Sequence, residues 1–416
     1  MKSIMCPVPF TVRIDSYNIG GWRREGEGVY ISDAHGLKVE VELTTYEGTG
    51  AVRQINRITN IGGSEKHLTG FSSALINTGS GLVGVDRNRW QSEGQWQFFT
   101  DEQCGLIPAT VHPWETETYV ISSVGSWSTG VFYPLTMVIC DDVTYYMELE
   151  GAHNWMLTHS VTGGVNSPRY MLEGSCAHEE NGGWSYPLKP GETYVSQPAV
   201  FGCVKGGFEE AAGELVAYKR AVSLTKYKDG VIPVVFNDYM NCLWGNPSDT
   251  KLIPLIDAAA SVGCEYFCID AGWHMNVGGG KKSPGAGDWI VDNARFGEGG
   301  LAGIFAHMKE KGLTPGVWFE LDTVYPTAAA YSLDDDCLLK RYGEVIPRAF
   351  FNFRNEKVRA HLRSRINELY SMGVRYIKND YNQTTGIGCD NYGDSPAEGL
   401  VKNYEAFSEF IDEIRA

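Results

Sequence analysis

The chain has 416 residues, too many for one ordinary domain, so two domains are expected. Hydrophobic residues make up 43% and charged residues 21%, the balance of a globular protein with ample apolar surface for a core. A formal net charge of -16 argues against nucleic acid and against an anionic membrane as partner, and leaves a neutral ligand such as a sugar open.

The first residues, Met1-Lys2-Ser3-Ile4-Met5-Cys6-Pro7, lack the apolar core of a signal peptide, and no later stretch is long and apolar enough to span a bilayer. The 10 cysteines are scattered from Cys6 to Cys389 without a Cys/His cluster of zinc type. A cytoplasmic protein with free thiols and no metal or organic cofactor is the expectation. The 11 Trp and 22 Tyr tilt the ligand toward carbohydrate, because aromatic rings stack on the apolar faces of pyranoses.

Residues 1–207 read as strands. Leu37 to Leu43 alternates apolar and polar, and Thr118 to Ile121 and Tyr145 to Leu149 are rich in β-formers. Gly, Asn and Ser clusters such as Asn60-Ile61-Gly62-Gly63-Ser64 punctuate them, and turns at this frequency predict a β-sandwich. Residues 208–232 predict a helix from Phe208 to Val222, opened by Glu209-Glu210 and closed by Lys219-Arg220, then a polar connector.

From Pro233 to Ala416 the pattern becomes strand then helix, four times over. The predicted strands are Val234 to Phe236, Tyr266 to Ile269, Pro315 to Phe319 and Val374 to Ile377. The predicted helices are Thr250 to Val262, Gly300 to Lys311, Asn355 to Met372 and Ala397 to Ile414. Such alternation implies a parallel sheet with right-handed crossovers, and the fold class is multidomain, all-β followed by α/β. Asp270, Glu320 and Asp380 each follow a strand, the position that carries chemistry in a TIM-type (β/α)8 barrel. Four units are half of such a barrel, so the chain is expected to be a fragment or to be completed by a second chain.

Lys378 and Asp380 lie two apart at the end of the fourth predicted strand and therefore share a face. An ammonium beside a carboxylate keeps it ionised, as a nucleophile attacking an anomeric carbon requires. A structural ion pair closing a strand end is the other reading of the same two residues. The run Gly278-Gly279-Gly280-Lys281-Lys282 lacks Walker spacing and reads as a loop over a pocket mouth rather than a phosphate site.

Four segments in order, Tyr266-Phe267-Cys268-Ile269-Asp270-Ala271-Gly272-Trp273, Gly287-Asp288-Trp289, Gly316-Val317-Trp318-Phe319-Glu320 and Ile377-Lys378-Asn379-Asp380-Tyr381-Asn382, resemble the α-galactosidases of glycoside hydrolase family 36. The resemblance is carried by residues 233 to 416; the first half fits that family's N-terminal β-sandwich in position and type. It implies retaining hydrolysis of terminal α-galactosides with Asp380 as nucleophile. It further implies Asp270, Trp273, Trp318, Arg348, Lys378 and Asn382 as substrate-binding residues. An α-linked galacto-oligosaccharide is the implied substrate, and a homo-oligomer or a barrel-completing second chain the implied partner.

Departures from the family pattern matter for specificity and mechanism. Ala271 stands where the family commonly has a second aspartate, so α-N-acetylgalactosaminide or another α-glycoside is the rival substrate. Asn379 replaces a bulkier residue and points to the opposite strand face, so it should matter less. The family's acid/base motif is not found before Ala416, and Asp288, Asp322 and Asp390 are candidates by sequence proximity alone. A carbohydrate-binding protein without catalysis is the rival of a different class.

Overall fold

The structure, a computed structural model, describes residues 4–112, 114–151, 153–223, 232–275, 286–381 and 384–416. Its contacts divide the chain into two units, Met1–Leu224 with Thr384–Val401, and Thr225–Gln383 with Lys402–Ala416.

In the first unit the strand Val52–Asn60 alternates buried and half-buried side chains along its length, and it pairs antiparallel with Leu37–Thr45 over nine residue pairs. Period-two alternation buries one face, and here that face includes Gln54, Asn56 and Asn60. The NH2 groups of these amides donate to main-chain carbonyls: Gln54 to Pro9, Asn56 to Ser72 and Ser73, and Asn60 to Leu188. Buried side-chain amides with such partners fix one register, since a slip would orphan every one of them. Ten-, five- and four-stranded sheets, all with antiparallel pairings, make up the unit, the sandwich-type architecture that the alternation predicts.

The helix Phe208–Val222 belongs to this unit. Glu210 accepts the Gly207 peptide N–H, and Lys219 pairs with the buried Glu148, so each end of the helix dipole meets opposite charge. Its buried stripe of Ala211, Leu215 and Tyr218 packs on Leu135, Met137 and Tyr146 of the sheet.

The second unit carries four parallel strands, Val235–Asn237, Tyr266–Ile269, Thr314–Phe319 and Tyr376–Asn379, hydrogen-bonded in that order. Between them run the helices Asp249–Ser261, Gly300–Glu310 and Glu356–Met372, all within a residue or two of the predicted spans. The last of these is capped by Asn355, whose side chain accepts the Lys357 N–H, and ends at Gly373 with φ 112°. Apolar side chains of the strands (Phe267, Ile269, Val317 and Phe319) and of the helices (Leu252, Ile256, Leu362 and Leu369) form one core. Near-continuous apolar strands of this kind are what a sheet covered by helices demands. Among the described residues the sheet is an open run of four strands with the first and fourth at its edges.

Among the described residues no helix is long and apolar enough to cross a membrane, and the ten cysteines are all free thiols.

Candidate active site

The carboxyl ends of the four strands bring Asn237, Asp238, Asp270, Glu320, Lys378 and Asp380 to one end of the sheet. In a parallel sheet every strand exits on the same side, which is why motifs far apart in sequence meet there.

Asp270 is the hub. Its side chain is 4% exposed and each oxygen is occupied: Oδ2 accepts Asn237 Nδ2 at 2.7 Å and Lys378 Nζ at 2.8 Å, and Oδ1 accepts the Ala271 peptide N–H at 2.8 Å. A buried carboxylate with three donors, one of them charged, is well compensated for the loss of water. Burial acts to lower the Lys378 pKa, but the hydrogen bond to Asp270 and the charges of Asp270 and Asp380 outweigh it and raise it above the ordinary lysine value. The hydrogen-bonded partner of the ammonium is thus Asp270 rather than Asp380, while Asp380 lies close enough to add its field.

Asp380 is half-buried and receives a donor on each oxygen, Trp318 Nε1 on Oδ2 at 2.9 Å and the Tyr381 peptide N–H on Oδ1 at 2.9 Å. Trp318 is held for this contact by its neighbours. It stacks on His274 (ring centroids 6.0 Å, 12°), meets Trp289 edge-on, and its carbonyl accepts Trp273 Nε1 at 2.8 Å.

Trp273 is placed beneath the site rather than on its surface. Its ring is fully buried, its N–H is spent on the Trp318 carbonyl, and it stacks on Trp289 and packs on Phe319. Arg348 is exposed, in a left-handed turn with Ala349 (φ 69° and 37°). Asn382 and the Gly278 to Lys282 run lie outside the described residues.

The Gly287-Asp288-Trp289 motif is scaffold. Asp288 accepts the Ala329 and Ala330 peptide N–H groups at 3.0 and 2.8 Å and so opens the short helical turn Ala329–Ser332. Gly287 has φ 128°, and a Cβ there would come within 2.7 Å of Val324. Asn379 turns to the other strand face and accepts the Leu321 peptide N–H at 3.1 Å, tying down the exit of the third strand.

Sequence reasoning missed Asn237 and Asp238. They follow the first strand just as Asp270 and Asp380 follow theirs, so the position after a strand was itself the available signal. Asp238 is 2% exposed and accepts the Asp270 peptide N–H on Oδ1 at 2.8 Å. Asp322, beyond Glu320, is 8% exposed, and burial, reinforced by Glu320, pushes its pKa up to about 8.

A family model described as melibiase matches residues 196–403. An α-galactosidase of Lactobacillus acidophilus is 29% identical over 198 residues, which is 45% of this chain and 26% of that protein. A bifunctional α-galactosidase/sucrose kinase of Mediterraneibacter gnavus is 25% identical over 207 residues, 48% of this chain and 22% of its own length. Among solved structures, the family 36 α-galactosidase AgaA of Geobacillus stearothermophilus matches with a TM-score of 0.79 at 17% identity, covering 98% of this chain and 60% of that one. Variants of that enzyme have been solved in complex with raffinose and with stachyose. The chain therefore shares the fold of these structures, a β-sandwich followed by barrel strands. It spans 22% to 28% of the first curated relatives it matches.

Proposed function

The chain belongs to the melibiase family, glycoside hydrolase family 36, and from that premise we propose that it carries the nucleophile half of a retaining α-galactosidase site, with Asp380 as nucleophile. The observation that carries the reading is the Asp380 carboxylate, given one N–H on each oxygen by Trp318 and Tyr381, next to the Asp270–Lys378 pair. Asp380 attacks the anomeric carbon of the bound sugar. A bond forms between its carboxylate oxygen and that carbon as the glycosidic bond breaks, and the departing oxygen takes a proton from a general acid. Water then cleaves the glycosyl-enzyme ester and releases the sugar with its configuration retained.

Donors already aimed at both oxygens hold Asp380 in one rotamer, which favours attack without reorganisation. Asp270 keeps one acceptor position on Oδ1, and Lys378, with one of its three donors used, keeps two. One free acceptor beside free donors matches a vicinal pair of sugar hydroxyls, so this pair orients the ring.

Specificity turns on Ala271. A methyl stands beside Asp270 where a second carboxylate would add another hydroxyl contact, so the site takes terminal α-galactosides while tolerating related α-sugars, α-N-acetylgalactosaminides among them. The relatives' names and the ligands of the solved neighbours support galactose as the parent sugar.

Asp380→Asn in the full-length protein tests the assignment. Turnover of an aryl α-galactoside should fall by several orders of magnitude, roughly 10³-fold or more, and azide should restore part of it as a glycosyl azide. Turnover close to wild type would sink the role of Asp380.

A further inference from the structure

Asp238 is a buried carboxyl that the proposed chemistry does not use. It leaves the first parallel strand one residue after Asn237, and its Oδ1 accepts the Asp270 peptide N–H at 2.8 Å. Asn237 itself donates to Asp270 Oδ2 at 2.7 Å, so two consecutive residues at the exit of the first strand hold both the main chain and the side chain of Asp270. Oδ2 of Asp238 is fully buried with no hydrogen-bond partner. An ionised carboxylate with an orphan buried oxygen is costly, whereas the neutral acid leaves a single hydroxyl group to accommodate.

We propose that Asp238 is a positioning residue for the sugar-binding pair: it fixes Asp270 through the peptide N–H, and as a further carboxyl behind that pair it tunes the strength of Lys378 as a hydrogen-bond donor to the sugar. The inference rests on the reading of Asp270 and Lys378 as sugar-binding residues.

The physical reason lies in the charge count. The Lys378 ammonium serves Asp270 by contact and Asp380 by its field. While Asp238 is neutral, Lys378 feels the charges of Asp270 and Asp380; when Asp238 ionises, a further negative charge raises the Lys378 pKa, and an ammonium of higher pKa is a weaker hydrogen-bond donor. Burial, joined by the negative charge of Asp270, raises the Asp238 pKa to about 7, against the pull of the Asp270 peptide N–H and of Lys378. The other titratable groups facing it are Cys242 on the turn after the first strand and Cys268 on the second strand, and burial pushes both thiols up. Both therefore stay neutral through the range in which Asp238 changes charge. The sugar hydroxyl that accepts from Lys378 sees a weaker donor once Asp238 is ionised, so affinity falls as the pH rises past neutral.

The test follows Lys378 directly, in ligand-free protein carrying 13Cε-labelled lysine, from about pH 5.5 to about pH 9. The resonance, assigned by its loss in Lys378→Arg, should inflect near neutrality in wild type and run flat in Asp238→Asn, which keeps an acceptor for the Asp270 N–H but cannot ionise. A flat wild-type resonance overturns the proposal, and this measurement does not depend on any variant of Asp238 folding. Galactose titration by calorimetry over the same range is the second arm. The wild-type Kd should rise roughly tenfold for each unit by which galactose raises the Asp238 pKa, and this rise should vanish in Asp238→Asn. An inflecting Lys378 with a galactose Kd that does not change with pH overturns the control of the pair. No galactose binding by wild type at any pH overturns the functional reading, and with it the role given to the pair, while the resonance still reports whether Asp238 and Lys378 are coupled.

Discussion

Replacing Lys378 by methionine isolates the ion pair at the centre of the site, because the stem length is kept and only the charge leaves. The Lys378 and Asp270 side chains are 37% and 4% exposed and meet at 2.8 Å. Breaking a fully buried pair costs about 3–5 kcal/mol, and an exposed one contributes about 0–1 kcal/mol. With one partner buried and the other more than a third open to solvent, screening removes a good part of the buried value, and we expect a loss of about 1–3 kcal/mol. Asn237 Nδ2 and the Ala271 peptide N–H remain on Asp270 and keep the loss below the buried limit. For a unit of this size the melting temperature should drop by roughly 2–4 °C per kcal/mol. Urea unfolding of wild type, Lys378→Met, Asp270→Asn and the double variant gives the coupling, expected at about 1–2 kcal/mol. The raised pKa of Lys378 fixes the pH dependence. Its stabilisation is complete below the ordinary lysine value of 10.5 and is lost only as pH climbs through the raised folded value, so the gap between wild type and Lys378→Met should not close at neutral pH, and it should widen as Asp238, whose ionisation Lys378 favours, loses its proton near 7. A coupling below about 0.5 kcal/mol, or a gap that closes already at neutral pH, would refute the reasoning.

Three further outcomes are expected. Trp318→Phe removes the donor on Asp380 Oδ2 while leaving the main-chain carbonyl that serves Trp273, so turnover in the full-length protein should fall by about 10- to 150-fold, the equivalent of one charge-assisted hydrogen bond; unchanged turnover would remove Trp318 from the support of the proposed nucleophile. Asp322, whose pKa burial pushes up to about 8, keeps its proton in the folded state after the unfolded chain has lost it. Wild type should therefore lose stability relative to Asp322→Asn as the pH rises from the ordinary carboxyl range through about 8, and stability curves of the two proteins that run parallel across that range would contradict this. With Ala271 beside Asp270, discrimination between aryl α-galactoside and aryl α-N-acetylgalactosaminide or α-glucoside should stay below about a thousandfold, since one charge-assisted hydrogen bond is worth only about 1.5–3 kcal/mol; stricter selectivity would show that Ala271 does not set it.

Much of this molecule was legible in the chain because its signals are local. Period-two alternation marked Leu37 to Leu43, the charges at both ends marked the helix Phe208–Val222, and apolar runs followed by amphipathic stretches marked the four strand–helix units. The residues after those strands pointed to the site, since a parallel sheet has only one end at which they all emerge. What tertiary structure alone decided is which of these groups touch. Period two puts Lys378 and Asp380 on one face, but Lys378 reaches past the third strand, whose Trp318 is its register partner, to Asp270 after the second. Strands two apart lie about 10 Å from each other, a span that an extended lysine and an aspartate side chain cross together, whereas Asp380 finds its donor in the neighbouring Trp318. The burial of Trp273, the capping by Asp288 and the hold of Asn237 and Asp238 on Asp270 likewise depend on strand register and on the packing of loops over the sheet. No local pattern records these, because the partners lie about 30 to 110 residues away and meet only when the sheet has formed.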